Sequence, residues 1–467
     1  MKANIKCIIP KCGFEDNIHS EITKCPKCGN LLDVVYSNQD ASSFTELFKL
    51  RKNNPQGIFD KSGVWRFREL LPFPLTEDNP FSVLVSLDGK EGQTFPFRLT
   101  EVAKYVGVDK DNFYLQFEGD NPTGSFKDNG MAAAFTHAKI MGKNKVVCAS
   151  TGNTSASMAA FSANELGKMD AIVFVGNEKI AIGKLAQSLE YGARVIQING
   201  DFDDAMKKVL EIGKEESLYL MNSVNPFRLE GQKTIMYRVL EGLGWRAPDW
   251  IVVPGGNLGN SSAFGKALYE LRELGIIERI PRIAVINAEG ANTFDRIVNK
   301  EGVKWNNGDV DFERIESFYR KMDEENRKAK TICSAIEINR PVNLTKALRT
   351  IEWSNGVVRS VSDEEALDAK AIVGRNGFGC EPASATAIAG IRRLVKEGII
   401  KKDEVVVGIL TGHQLKDPVA TINYHKNKSN RFANIPIEVE NDLEEIKKAI
   451  KKHKAPSKKT EYLSSSE

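Results

Sequence analysis

From about residue 111 the chain repeats one pattern. A short apolar run, rich in β-branched residues, gives way to a turn of glycine and small polar residues. A longer stretch with helical spacing then follows. The strand-like runs are "FYLQF" (113–117), "KVVCAS" (145–150), "AIVFV" (171–175), "RVIQI" (194–198), "LYLM" (218–221), "WIVVP" (250–254), "RIAVIN" (282–287) and "EVVVGIL" (404–410). Between most of them the spacing predicts helices, among them 129–141, 154–167, 179–191 and 201–214. Strands alternating with helices predict an α/β fold with parallel-rich sheets and crossover helices. The C-terminal stretch "NDLEEIKKAIKKHKAPSKKTEYLSSSE" changes character. It opens as an amphipathic charged helix and becomes polar. Its basic run is short and alternates with acids, which predicts a solvated helix and a flexible tail over 436–467, not a nucleic-acid arm.

Composition narrows the class. With 41% hydrophobic and 27% charged residues over 467, the chain can bury a full core. Lys and Arg number 65 against 62 Asp and Glu, so nothing in the charge calls for a nucleic-acid partner. No run of about 18 apolar residues predicts a membrane span. The start, "MKANIKCIIPKCGFEDN", lacks the apolar region of a signal peptide, so the expectation is a cytoplasmic protein. In that setting the seven cysteines are expected to be metal ligands or free thiols.

Four of them crowd the first 28 residues: Cys7, Cys12, Cys25 and Cys28. Two close pairs on two turns can present four thiolates tetrahedrally. Zinc–thiolate bonding can order a segment too small for its own core. Residues 1–35 therefore read as a zinc-ribbon-like segment with a structural Zn²⁺. His19, between the pairs, reads as a surface residue, and Cys148, Cys333 and Cys380 as packed thiols.

Three loops share a setting: each follows an apolar strand, where ligands sit in open α/β sheets. "CASTGNTSASMAAFSA" crowds Ser150, Thr151, Asn153, Thr154 and Ser155 around Gly152 at a helix start, a carboxylate or phosphate site. A simple helix cap needs one such residue. "IVVPGGNLGNSSAFGKAL" offers the backbone of Gly255, Gly256 and Gly259 with Asn257, Asn260, Ser261 and Ser262 beside it, a phosphate cup. It has neither the G-K-[ST] of a nucleotide loop nor the G-x-G-x-x-G of a dinucleotide site. "GILTGHQLKDP" ends a strand at Thr411, whose hydroxyl can meet a ligand. Against these stands Lys127 in "NPTGSFKDNG", a lysine among small residues on a tight turn. A lysine, a phosphate cup and a carboxylate loop together suit an enzyme that uses pyridoxal phosphate (PLP).

"NPTGSFKDNG", "STGNTSAS", "NSVNPFRLEGQKT", "PGGNLGN", "EPASATA" and "TGHQLKD", in this order between about 60 and 420, closely resemble the threonine synthases. These are PLP enzymes of the tryptophan-synthase-β type (fold type II). The cysteine-rich start resembles that of microbial, often archaeal, members. The resemblance implies the following roles. Lys127 matches the Schiff-base lysine. Asn153 matches the partner of the phenolic oxygen of PLP. Ser150, Thr151, Asn153 and Thr154 match the loop for the substrate carboxylate. Gly256, Asn257, Leu258, Gly259 and Asn260 match the PLP phosphate cup. Thr411 matches the hydroxyl facing the pyridine nitrogen. Asn222, Ser223 and Arg228, with Asn257, match the group holding a phosphate on the substrate. A guanidinium with amide and hydroxyl donors suits such a second phosphate.

The implied reaction turns O-phospho-L-homoserine and water into L-threonine and phosphate. The alternatives are another PLP eliminase or β-replacement enzyme, such as serine/threonine dehydratase or cysteate synthase, or a zinc-ribbon binding protein with a dead enzyme body. The expected layout is a large PLP-binding domain (36–132 and 240–435) and a smaller domain (133–239), closing over a small-molecule substrate, in a monomer or homodimer. Three positions depart from the family pattern: Asn129 where many relatives carry Arg, Gln414 where Gly is common, and the expanded loop "LDGKEGQTFP".

Overall fold

The strands run β1 (Ala3–Cys7), β2 (Glu15–Asn17), β3 (Leu32–Tyr36), β4 (Pro96–Phe97), β5 (Phe113–Phe117), β6 (Lys145–Ala149), β7 (Asp170–Gly176), β8 (Arg194–Ile198), β9 (Tyr219–Leu220), β10 (Trp250–Pro254), β11 (Arg282–Ala288), β12 (Val357–Val361) and β13 (Val406–Leu410). The computed structural model describes residues 3–37, 40–73, 82–176, 182–199, 208–209, 211–212 and 217–452.

β6 to β9 form a four-stranded sheet in the order β8-β7-β6-β9, all parallel. β5 and β10 to β13 lie in a six-stranded sheet, β12-β11-β10-β13-β5-β4, in which only the short β4 runs antiparallel. The chain leaves the larger sheet after β5 and returns at β10. A third, antiparallel sheet, β2-β1-β3, carries the N-terminal cysteines.

Successive side chains of a strand face opposite ways, and here both faces are covered. Ile251, Val253, Ile283, Val285, Val407 and Ile409 join one buried cluster, while Trp250, Val252, Ala284, Ile286, Val406 and Leu410 join another. In the smaller sheet Val146, Cys148, Val173 and Val175 separate in the same way from Val147, Ala149, Ile172 and Phe174. That is why these strands read as unbroken apolar runs.

The parallel α/β expectation holds, with corrections at the edges. β12, "VVRSV", was not expected as a strand. It is the sheet's outer strand, and its half-buried Arg359 breaks the apolar signal. The helix expected over 154–167 is Asn153–Ala163. It stops because the Asn164 side chain caps a separate 3-10 turn by accepting from the Leu166 N–H at 3.0 Å. The helix expected over 179–191 is Ile182–Glu190, with 179–181 outside the described residues. Most of the one expected over 201–214 also lies outside them, as does the tail beyond 452. The charged C-terminal helix runs Leu443–Lys452. Among the described residues no helix is long and apolar enough to cross a membrane.

The helices Lys127–Ile140 and Pro226–Gly242 pack closely, and glycine makes the approach possible. A Cβ on Gly130 would lie 2.9 Å from the Arg228 carbonyl oxygen, and one on Gly231 would lie 2.0 Å from that of Asn129. The contact brings together the helix starts that carry Lys127 and Arg228.

Candidate active site

The strand order explains why distant motifs meet. β10, β13 and β5 are neighbours, so the glycine loop after β10, Thr411 after β13 and the Lys127 turn after β5 emerge side by side. β6 and β9 are neighbours in the other sheet, so the loop from Ser150 and the segment from Asn222 emerge together. All are carboxyl ends of parallel strands. They enclose a cavity of about 1430 Å³ lined by Lys127, Ser150, Thr151, Asn153, Thr154, Asn222, Ser223, Arg228, Gly256, Asn257, Leu258, Gly259, Asn260 and Thr411. The residues matched to family roles are therefore in one place, whereas Ser155, Gly255, Ser261 and Ser262 of the same loops stay out of the lining, the three hydroxyls turned to backbone carbonyls.

Lys127 is half-buried at the start of its helix, its Nζ 4.2 Å from the centre of the Phe126 ring. The turn before it is fixed on both sides. Asp128 accepts from the Thr123 N–H at 2.8 Å and from the Ser157 hydroxyl at 2.5 Å. The Phe126 N–H donates to the Thr411 carbonyl at 3.0 Å. Burial, then the Arg228 charge, hold the Lys127 amine well below the ordinary lysine range, while Glu381 pulls the other way. A neutral amine is the nucleophilic and proton-accepting form.

In the glycine loop, Leu258 adopts φ 61° and ψ 16°, a left-handed conformation rare for a branched residue. Among the described residues the N–H groups from Gly256 to Ser261 have no hydrogen-bond partner; the first helical bond is from Ser262 to Leu258, 3.1 Å. Asn257 holds the loop by accepting from the Val342 N–H at 2.7 Å. A concave row of free amides at a helix start suits a phosphate. The loop before Asn153 is similar, for the N–H groups of Thr151, Asn153 and Thr154 are likewise without partners among the described residues.

Arg228 is 1% exposed. One nitrogen donates to the Met221 carbonyl at 2.8 Å, while Nε and Nη2 have no partner. Burial pushes its pKa down to about 10, with Cys148 acting against that shift. The Ser223 hydroxyl nearby is also buried and unpartnered. A buried cation with unused donors lacks an anion. Asn222 is differently occupied: its amide accepts from the Ala149 N–H at 3.0 Å and donates to the Ala149 carbonyl at 2.9 Å, bridging β6 to the turn after β9.

Several residues of the site were not expected. Gln232, one helical turn after Arg228, donates to the Asn260 Oδ1 at 2.5 Å and leaves its own Oε1 unpartnered. Asn343, fully buried, donates to the Ser223 carbonyl at 3.2 Å. The Ser384 Oγ accepts from the N–H groups of Thr411 and Gly412, both at 2.9 Å, and lies 2.9 Å from the Thr411 Oγ1. Glu381 receives the Asn153 amide at 3.1 and 3.2 Å. "EPASATA" was the signal for the last two, but a motif does not say which strand end its residues face. Of the departures, Asn129 donates to the buried Glu118 carboxylate at 2.8 Å. Glu118 also pairs with Arg238 at 2.9 Å. Gln414 packs so tightly on Gly379 that a Cβ there would lie 2.2 Å from its side chain.

The N-terminal cysteines meet as their spacing requires. Cys7 and Cys28 lie 3.4 Å apart, Cys12 and Cys25 lie 3.6 Å apart, and all four sulfurs fall within 4.8 Å of one another. Bonds of about 2.3 Å in a tetrahedral zinc site would set sulfurs about 3.8 Å apart. The four thiols thus fit such an ion in size and chemistry. His19 is exposed, and Cys148, Cys333 and Cys380 are buried.

The family described as pyridoxal-phosphate dependent enzyme matches residues 87–412. The threonine synthase of Methanocaldococcus jannaschii is 41% identical, over 96% of this chain and 99% of its own. That of Methanosarcina acetivorans is 40% identical over 92% and 96%. The chain belongs to the threonine synthase family. Threonine synthase 2 (chloroplastic) of Arabidopsis thaliana is 32% identical over 95% of this chain and 84% of its own. Solved structures show the same fold at low identity. Threonine deaminase isoform 2 of Solanum lycopersicum aligns with a TM-score of 0.53 and 18% identity, over 81% of this chain and 86% of its own. Diaminopropionate ammonia lyase of Escherichia coli aligns at 0.55 and 13%, over 90% and 96%. Like its family, this enzyme is a PLP-dependent lyase of fold type II that performs the threonine synthase function and acts on an amino acid. The free amides from Gly256 to Ser261 and the depressed Lys127 fit that cofactor.

Proposed function

We propose that this cavity takes O-phospho-L-homoserine and water to L-threonine and phosphate. Arg228 carries the reading. The amides from Gly256 to Ser261 provide for one phosphate, that of the cofactor, and the unpartnered Nε and Nη2 of a buried guanidinium call for a second anion in the same cavity. A substrate phosphate supplies it.

When bound, PLP supplies the electron sink that makes carbon-bound protons of the amino acid removable. The remaining roles fall to the chain. Lys127 would hold the cofactor covalently, and its neutral amine is the group placed to move the proton at the substrate Cα. The amides of Thr151, Asn153 and Thr154, with the hydroxyl of Ser150, bind the substrate carboxylate. Arg228 and Ser223, with Asn257, hold the γ-phosphate and take up its charge as the C–O bond breaks, after loss of a β-proton, while Asn222, its amide bound to Ala149, fixes the strand end beside them. A proton is then returned at Cγ to form the methyl group, water adds at Cβ, and the Cα proton is restored. Asn153 would partner the phenolic oxygen of PLP, and Thr411 its pyridine nitrogen.

The hydrogen inventory supports the Thr411 assignment. Ser384 Oγ already accepts two N–H groups, so it can only donate onward, and the Thr411 Oγ1 at 2.9 Å is a nearer acceptor than the Gly412 carbonyl at 3.4 Å. The Thr411 proton is thereby left to donate, which suits an unprotonated nitrogen.

The proposal extends to organisation: a large domain over 36–132 and 240–435, a small domain over 133–239, a structural Zn²⁺ on Cys7, Cys12, Cys25 and Cys28, and a cytoplasmic monomer or homodimer. The test is turnover of O-phospho-L-homoserine by the purified protein. Threonine and phosphate released in equal amounts support the reading. Release of phosphate with 2-oxobutyrate in place of threonine identifies an eliminase instead.

A further inference from the structure

The contact between Asn153 and Glu381 spans the cavity. Asn153 begins the helix that follows β6 of the four-stranded sheet, and Glu381 immediately precedes the helix Pro382–Lys396, which packs on β10 and β13 of the six-stranded sheet. Glu381 is 5% exposed, and its carboxylate oxygens lie 3.2 and 3.1 Å from the Asn153 Nδ2. Its position is over-determined. Its N–H donates to the Gly412 carbonyl at 3.0 Å, and a Cβ on Gly412 would lie 2.6 Å from its Oε1. A side chain at 412 would have to displace the carboxylate from this place.

An ionised carboxylate only accepts hydrogen bonds, whereas an asparagine amide can present either its NH₂ or its carbonyl oxygen by turning over. Facing Glu381, the Asn153 amide must put Nδ2 nearest. One N–H goes to the carboxylate and the second stays available in the cavity. We propose that Glu381 is a positioning residue, holding the Asn153 amide so that an N–H, and not its carbonyl oxygen, faces the phenolic oxygen of bound PLP. This rests on the reading of Asn153 as the partner of that oxygen.

The test uses the full chain stripped of cofactor and titrated with PLP, following binding and the visible absorption maximum. Asn153→Ala weakens PLP binding about tenfold, the scale of one hydrogen bond to a charged oxygen. Glu381→Gln keeps the volume of the side chain and therefore the packing. Glutamine can donate as well as accept, so it frees the amide to turn over. It should weaken binding by a similar factor and move the absorption maximum in the same direction as Asn153→Ala. The double variant should bind no more weakly than Asn153→Ala alone, because both act through one contact. The proposal is overturned if Glu381→Gln leaves affinity and absorption unchanged, or if the two losses multiply in the double variant. If Asn153→Ala alone changes neither, the reading of Asn153 fails, and the inference with it.

Discussion

Gly231 meets the backbone of Asn129 so closely that a single methyl at 231 would lie 2.0 Å from the Asn129 carbonyl oxygen. This contact, with Gly130 against Arg228, sets the distance between two helices and hence between the amine of Lys127 and the guanidinium of Arg228. Gly231→Ala must push the helices apart or bend one. The expected cost is about 1–3 kcal/mol of stability, as for overpacked cores, with weaker substrate binding. Chemical denaturation and steady-state kinetics of the same variant check both; a fully stable variant with unchanged KM would show that the contact is not restrictive.

Lys127→Ala removes a half-buried side chain that faces a cavity and carries no helix bond of its own. It should abolish turnover and covalently held PLP, seen as loss of the visible absorption band, while the thermal midpoint of the apoprotein stays within a few degrees of wild type. Retained turnover would remove Lys127 from its role.

Arg228→Ala should act chiefly on the phosphorylated substrate. The loss of a buried charged contact is on a scale of about 2–5 kcal/mol, so a large rise in KM is expected. Arg228→Lys, which keeps charge but not the planar fork, should recover only part of it. Removing this cation also removes one cause of the depressed Lys127 pKa. The pH at which PLP couples to the protein should therefore move upward.

Ser384→Ala leaves the N–H groups of Thr411 and Gly412 without an acceptor in a buried place. About 1–3 kcal/mol of stability should be lost. The Thr411 hydroxyl, no longer supplied with a proton by Ser384, can then turn to accept one. A shifted absorption maximum for bound PLP is the readout, and an unchanged spectrum would contradict the hydrogen inventory given above.

His137 links the cysteine-bearing segment to the smaller sheet, with Nε2 at 2.5 Å from the Ile18 carbonyl and Nδ1 at 2.5 Å from the Tyr219 hydroxyl. Burial depresses its pKa to about 4 from 6.5, with the Ile18 carbonyl acting against that shift. The unfolded chain then binds a proton more readily than the folded one between these values, so stability is lost as pH falls from 6.5 towards about 4. Thermal melts across that window should show a slope that His137→Gln reduces. Chelation of the cysteine site should lower the same midpoint without altering the absorption of bound PLP.

Much of this was legible in the sequence because its causes are local. Continuous apolar strands follow from burial on both faces, as β10 and β13 show. Small polar residues at strand ends mark where backbone amides stay free, and the cysteine spacing brings four sulfurs together. These features single out Lys127, the glycine loop and the four cysteines, and Arg228 follows from the resemblance of its motif. What the sequence could not decide was pairing across the fold. That Asn153 meets Glu381, that Ser384 orients Thr411, that Gln232 reaches Asn260 and that the Asn222 amide is already taken by Ala149 all depend on strand order and helix crossing. A side chain's donors and acceptors are fixed by its chemistry, but which of them remain free is fixed only when its neighbours arrive.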